Sequence, residues 1–159
     1  MKKRNPLYVA IAIAVVLVLI TVAVVLISGY RYTSEDGIKF IGQSESGKPT
    51  SGTINYPDGS SATLDLLNKT IKYDNGDVYV GDISGLQRNG NGKMTFAATG
   101  DVYEGTFIED KMTGVGKMTY ANGDVYIGGM LDSKKHGDGQ FHFSNGNSYD
   151  GAYVEDAMT

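Results

Sequence analysis

One short vocabulary recurs along this chain, and it limits the fold more than any single motif does. The turn-like pairs Asp36-Gly37, Asp58-Gly59, Asn75-Gly76, Thr99-Gly100, Asn122-Gly123 and Asn145-Gly146 have glycines 22, 17, 24, 23 and 23 residues apart. A word follows most of them: IKFIG from residue 38, DVYVG from 77, DVYEG from 101, DVYIG from 124 and NSYDG from 147. Another precedes them, in GTINYPDG, TIKYDNG, GKMTFAATG, GKMTYANG and GQFHFSNG. A period of this length marks stacked supersecondary units, none of which can bury its apolar face alone.

Each word alternates with the period of a half-buried strand. In DVYEGTF one face carries Tyr103, Gly105 and Phe107, and the other Val102, Glu104 and Thr106. In GKMTY the corresponding face carries Gly116, Met118 and Tyr120. Strands meeting at Asn-Gly or Asp-Gly read as hairpins whose two turn residues both take positive φ. The longer links, such as IEDKMTG and LDSKKHG, are expected to be loops joining strands at the opposite side. The unit from Gly59 to Gly76 is a degenerate copy whose loop has shrunk to about LNK, residues 67 to 69. The expectation is all-β: one elongated antiparallel sheet with a Tyr, Phe, Met and Gly face and a polar face. Gly81, Gly105, Gly128 and Gly151 lie on the apolar face, where a missing side chain lets neighbouring tyrosine rings lie flat.

These words resemble the MORN repeat: Tyr-x-Gly, a polar stretch ending in Gly-x-Gly, then an aromatic and an Asn-Gly, over about 23 residues. YVGDISGLQRNGNGKMTFAATG, YEGTFIEDKMTGVGKMTYANG and YIGGMLDSKKHGDGQFHFSNG match well. FIGQSESGKPTSGTINYPDG is a fair match and YDGAYVEDAMT is half of one. The resemblance covers about residues 37–159. It implies stacked hairpins in a twisted sheet, and family roles in scaffolding, dimerisation, partner-peptide binding and phospholipid contact.

The start of the chain has a different composition. Lys2, Lys3 and Arg4 precede 21 uncharged residues, 7 to 27, of which fifteen are Val, Ile or Leu. As a helix at about 1.5 Å per residue this stretch spans roughly 32 Å, the thickness of a bilayer's hydrocarbon core. It is longer than a signal-peptide core and closes with Leu26 and Ser28 instead of two small residues, so an uncleaved anchor is favoured. The basic tail places the N-terminus in the cytoplasm and the repeats outside. The expected organisation is a tail at 1–6, a transmembrane helix at 7–28, a linker at 29–36 and repeats over 37–159. The repeat bounds are about 37–58, 59–75 (degenerate), 76–99, 100–122, 123–145 and 146–159 (partial).

All 18 acidic residues and all but three of the 14 basic ones follow the apolar run. An acidic outer part is a poor partner for nucleic acid. The phosphate-loop look of TGVGKMT fails on spacing, on Met118 after Lys117, and on the strand that follows. His136 and His142 read as structural, DNGD at 74–77 lacks a calcium loop's ligand series, and there is no cysteine. No catalytic residue, metal or cofactor is therefore assigned. The long links carry five basic and five acidic residues, so attraction to anionic lipid is not evident.

The expected function is a non-enzymatic, membrane-anchored scaffold or protein-interaction module. The alternative is a glycan, cell-wall or phospholipid binding module using the same rings. The candidate interaction face is Tyr79, Phe96, Tyr103, Tyr120, Tyr126, Phe143 and Tyr149, rings that also serve as the core of a curled sheet. Tyr149, Gly151 and Tyr153 mark a candidate edge-pairing strand. There YDGAYVEDAMT copies YEGTFIEDKMT and stops where Gly114 begins the expected return strand, leaving 148–154 open to a second copy, a partner's strand or further residues of a longer parent chain.

Overall fold

A computed structural model describes residues 29–159. The cytoplasmic tail and the transmembrane helix expected at 7–28 lie outside the described residues. Among the described residues no helix is long and apolar enough to cross a membrane.

Thirteen strands form one antiparallel sheet whose spatial order is the chain order. β1 (Tyr30–Thr33) leads into six hairpins. They are β2 (Lys39–Glu45) with β3 (Lys48–Asn55), β4 (Ser61–Asp65) with β5 (Thr70–Tyr73), and β6 (Val78–Ser84) with β7 (Gln87–Thr95). Then come β8 (Val102–Ile108) with β9 (Lys111–Thr119), β10 (Val125–Leu131) with β11 (Lys134–His142), and β12 (Ser148–Val154) with β13 (Ala157–Met158). The stretch read as a linker contains β1, which pairs Tyr32 with Phe40 and extends the sheet by a strand.

The alternation places side chains as the sequence implied. Phe40, Ile54, Leu64, Ile71, Tyr79, Tyr103, Phe107 and Tyr126 are all fully buried. A single sheet can bury one face only by curling over it. The curl brings Tyr79 of β6 against Phe107 of β8, across the intervening β7, with ring centroids 5.1 Å apart at 79°. Tyr126 of β10 meets Tyr153 of β12 in the same way, at 5.1 Å and 75°. Edge-to-face contacts of this kind add about 0.5–1.5 kcal/mol beyond the area they bury.

Seven glycines form a continuous cross-strand row: Gly81, Gly92, Gly105, Gly116, Gly128, Gly139 and Gly151. Each tyrosine covers the glycine pair of its own hairpin. A Cβ on Gly105 would lie 2.6 Å from Tyr103 Cζ, and one on Gly116 2.5 Å from Tyr103 Cε2. Tyr126 covers Gly128 and Gly139 in the same way, and Phe40 covers Gly42 and Gly52. The ring reaches over the glycine so that its hydroxyl donates to the carbonyl three residues on. Tyr79 Oη reaches Asp82 O at 2.7 Å and Tyr126 Oη reaches Gly129 O at 2.8 Å. Tyr-x-Gly is thus one unit, a ring, a space for it and a carbonyl at its far end.

The turns are the reverse of the sequence expectation. At Asn75-Gly76, Asn122-Gly123 and Asn145-Gly146 only the glycine has positive φ, at 91°, 91° and 90°. Gly76 N–H donates to Tyr73 O at 3.0 Å, and Tyr73 N–H to Asp77 O at 2.9 Å. That is a three-residue loop, a type I turn closed by a left-handed glycine. Two-residue turns with both φ values positive occur instead inside the expected long loops. Glu109 and Asp110 have φ of 48° and 68°, Asp132 and Ser133 49° and 66°, and Glu155 and Asp156 48° and 73°. The long links are therefore mostly strand.

Left-handed conformations at six non-glycine residues cost energy, and a clasp to the preceding hairpin offsets it. Asp110 N–H donates to Arg88 O at 3.1 Å while Arg88 N–H donates to Asp110 Oδ1 at 2.9 Å. Ser133 makes the same exchange with Met112, and Asp156 with Lys135. A second clasp runs along the Asn-Gly side. Asp77, Asp101 and Asp124 each accept the backbone N–H of the next turn, from Ala97, Ala121 and Ser144, at 2.8, 2.9 and 2.7 Å.

The early tight turn also narrows the expected open edge, covering its end at Tyr153 and Val154 while residues 148–151 pair with β11 alone. The return strand starts at Ala157, directly after Glu155-Asp156, and pairs Tyr153 with Met158 and Val154 with Ala157. Thr159 N–H adds a bond to Ala152 O at 3.0 Å. Tyr153 is not left uncovered. It is 1% exposed beneath the curl, and its hydroxyl is buried without a hydrogen-bond partner.

Candidate interaction face

The seven rings of the proposed face separate by position. Tyr79, Tyr103 and Tyr126 lie over glycine pairs and are fully buried. Phe96, Tyr120 and Phe143 close their return strands just before the Asn-Gly-type turns and remain partly exposed. Tyr149 is partly exposed at the far end, where its hydroxyl donates to Ala152 O at 3.2 Å. Except for Tyr149 at the far end, the Tyr-x-Gly ring is thus core, and the ring before each turn is the one solvent reaches. Tyr56 and Tyr73 occupy that same position in their hairpins, with centroids 6.4 Å apart and planes at 20°. They complete a row with Phe96, Tyr120 and Phe143. The words GTINYPDG and TIKYDNG carried that signal, since both end in an aromatic before the turn.

Two cations border this row, and sequence reasoning counted both as loop charges. Lys135 Nζ lies 5.8 Å from the centroids of Tyr120 and Tyr126 and 5.7 Å from that of Phe141. It also donates to Tyr120 Oη at 3.3 Å. Arg88 Cζ stands 5.2 Å over Phe107 and 5.6 Å over Tyr73. Its Nε donates to Asp110 Oδ1 at 3.0 Å and its Nη2 to Asp110 O at 2.6 Å. Such ring–cation contacts contribute about 0.5–2 kcal/mol, more as water is excluded. Arg88, Met112 and Lys135 hold one repeat position, so the clasp geometry decides where each cation sits. Burial pushes the Tyr73 and Tyr56 hydroxyls above their ordinary range, helped by the Asp110 carboxylate.

The tight-turn side is electrically quiet. Lys69 pairs with Asp82 and Lys111 with Asp132, both at 2.9 Å, and Lys134 with Glu155 at 3.4 Å. At the N-terminal end, Tyr30, Tyr32, Ile38, Pro49 and Leu86 line a cavity of about 330 Å³. It is formed where the β6–β7 turn approaches β1, apart from the aromatic row. The row combines partly exposed rings with two cations already paired to carboxylates, Arg88 with Asp110 at 3.0 Å and Lys135 with Asp156 at 3.7 Å.

Comparison with known proteins agrees with the repeat count in the C-terminal half. The family model described as MORN repeat matches residues 79–98, 103–125 and 126–148. No curated protein matches the chain. Among solved structures it is similar to one described as the SAS-4 (dCPAP) TCP domain in complex with a proline-rich motif of Ana2 (dSTIL) of Drosophila melanogaster. The identity is 15%, the TM-score 0.35, and the match covers 79% of this chain and 90% of that one. Residues 79–148 of this chain thus carry MORN repeats.

Proposed function

We propose that this chain is a membrane-anchored, non-enzymatic scaffold that presents its repeat sheet outside the cytoplasm and binds a protein partner along the aromatic row. The row itself carries this reading. Phe96, Tyr120 and Phe143 recur once per repeat in partial exposure, with Lys135 beside Tyr120 and Arg88 beside Tyr73 earlier in the row. A partner chain crossing the repeats would meet the same ring at every second strand, roughly 10 Å apart. The anchor rests on the uncharged run from 7 to 27 and the basic residues before it.

Photo-crosslinking side chains placed at Tyr120 and Phe143 in intact cells test the partner, with Lys117 on the opposite face as control. The expected result is a discrete protein adduct from the first two positions only. Adducts that carry glycan or lipid alone, or equal capture from Lys117, contradict it. Protease added to intact cells should digest residues 30–159, and protection until the membrane is opened would contradict the orientation.

A further inference from the structure

The chain contains five Asn-Gly pairs, at 75, 89, 91, 122 and 145, and the fold does not treat them alike. Asn-Gly is the dipeptide most open to spontaneous ring closure, because glycine offers no side chain to block attack by its own amide nitrogen. Asn91 lies within β7 opposite Thr106 of β8, and its N–H is held by Asp82 Oδ2 at 3.2 Å; Asn89 lies at the register shift between β6 and β7, away from the turns compared next. Asn75 and Asn122 stand in turns, but a carboxylate grips each one. Asn122 Nδ2 donates to Asp124 Oδ2 at 2.9 Å while Asn122 Oδ1 accepts Asp124 N–H at 3.0 Å. Asn75 is held by Asp77 in the same two ways, both at 3.0 Å.

At the last of these turns Asn147 replaces that aspartate. Asn145 Oδ1 still accepts the Asn147 N–H at 3.0 Å, yet its amide nitrogen has no carboxylate to donate to.

We propose that Asn145-Gly146 is a modification site at which the chain deamidates itself, ahead of the Asn-Gly pairs at the other two turns. The Gly146 N–H, which donates to Phe143 O at 2.9 Å as Gly123 N–H does to Tyr120 O at 2.9 Å, is released as the turn opens and gives its proton to hydroxide; the nitrogen attacks Asn145 Cγ, forming a C–N bond and a five-membered succinimide. The Cγ–Nδ2 bond breaks, and the nitrogen takes a proton from water and leaves as ammonia. Water then opens the ring: cleavage at Cγ gives aspartate, and cleavage at the main-chain carbonyl gives isoaspartate. An adjacent carboxylate opposes this in two ways. It fixes the side-chain amide away from the attack path, and its charge disfavours the anionic nitrogen. Asn122 and Asn75 have that protection and Asn145 lacks it. The product adds a negative charge next to Ser144, whose N–H is the rung on Asp124, and two residues from Phe143 of the aromatic row. On the proposed reading of the row as the binding face, the new charge falls at its edge.

The test incubates the full chain in detergent micelles at mildly alkaline pH and maps its peptides in ¹⁸O-labelled water. Asn145 is expected to convert several-fold faster than Asn122 and Asn75, with isoaspartate among the products. Asn147→Asp, an exposed change that restores the carboxylate, is expected to slow Asn145 to the Asn122 rate. No conversion at Asn145, equal rates at the three turns, or an unchanged rate in Asn147→Asp would overturn the proposal.

Discussion

In the β8–β9 hairpin the Tyr103 ring lies over Gly105 and Gly116, which face each other across the strands. In the β4–β5 hairpin the same places hold Ala62, where the ring would be, and the pair Leu64–Ile71, where the glycines would be. Both arrangements are fully buried at their centre. Each fills one layer above the sheet, the first with one large side chain and two absent ones, the second with one small side chain and two branched ones. Both leave the centre of the layer closed to solvent, as close packing requires, by different sets of side chains. The second solution has consequences. It has no hydroxyl to reach a carbonyl three residues on, and it shifts the next pairing so that Ile71 faces Tyr79 instead of Gly81. The MORN match begins at residue 79, just beyond this hairpin.

The comparison breaks most visibly if the ring is removed. Tyr103→Ala should cost about 3–5 kcal/mol in urea unfolding, the usual range for deleting a buried aromatic ring. A loss below about 1 kcal/mol would mean that Tyr103 is not the filler of its layer. Adding bulk beneath the ring comes next. Gly105→Val should cost about 1–3 kcal/mol by overpacking, while Glu104→Val on the opposite face should be nearly neutral. Equal melting temperatures for these two variants would invalidate the face assignment.

A smaller effect separates the tyrosine-covered hairpins from β2–β3, where Phe40 does the same work without a hydroxyl. Burial pushes the hydroxyls of Tyr79 and Tyr126 up to about 12 from 10.0, with carboxylate or phenol neighbours adding to the shift. A folded value above the unfolded one means the contribution is complete below pH 10.0 and is lost as pH rises towards 12. The fold should therefore weaken over that window. Replacing both residues by Phe should raise the midpoint of alkaline unfolding, and an unchanged or lower midpoint would contradict this.

The strands, their faces and the sheet were legible because period-two alternation fixes each side chain's face. The ring-over-glycine unit was legible in part. Tyr-x-Gly gave the spacing, but that each ring covers its own hairpin, with its hydroxyl tied to a carbonyl, depends on χ angles no spacing encodes. The turns misled because Asn-Gly suits two loop types, and only the hydrogen bonding of Tyr73 and Asp77 tells them apart. Left-handed Glu109-Asp110 carries no glycine to announce it. It is held by Arg88, 22 residues back, a contact between repeats and so invisible within one. The same blindness hid Arg88 and Lys135 as members of the aromatic row.

The central claim is that ring and glycine pair form one exchangeable unit, and a double-mutant cycle on Tyr103→Ala and Gly105→Leu addresses it directly. If the claim holds, the leucine moves into the space the ring has left, as Leu64 does beside Ala62. Gly105→Leu should then cost far less in the Tyr103→Ala background than in the native chain, with a favourable coupling of at least about 1 kcal/mol. Costs that add to within about 0.5 kcal/mol would show two independent sites and contradict the account.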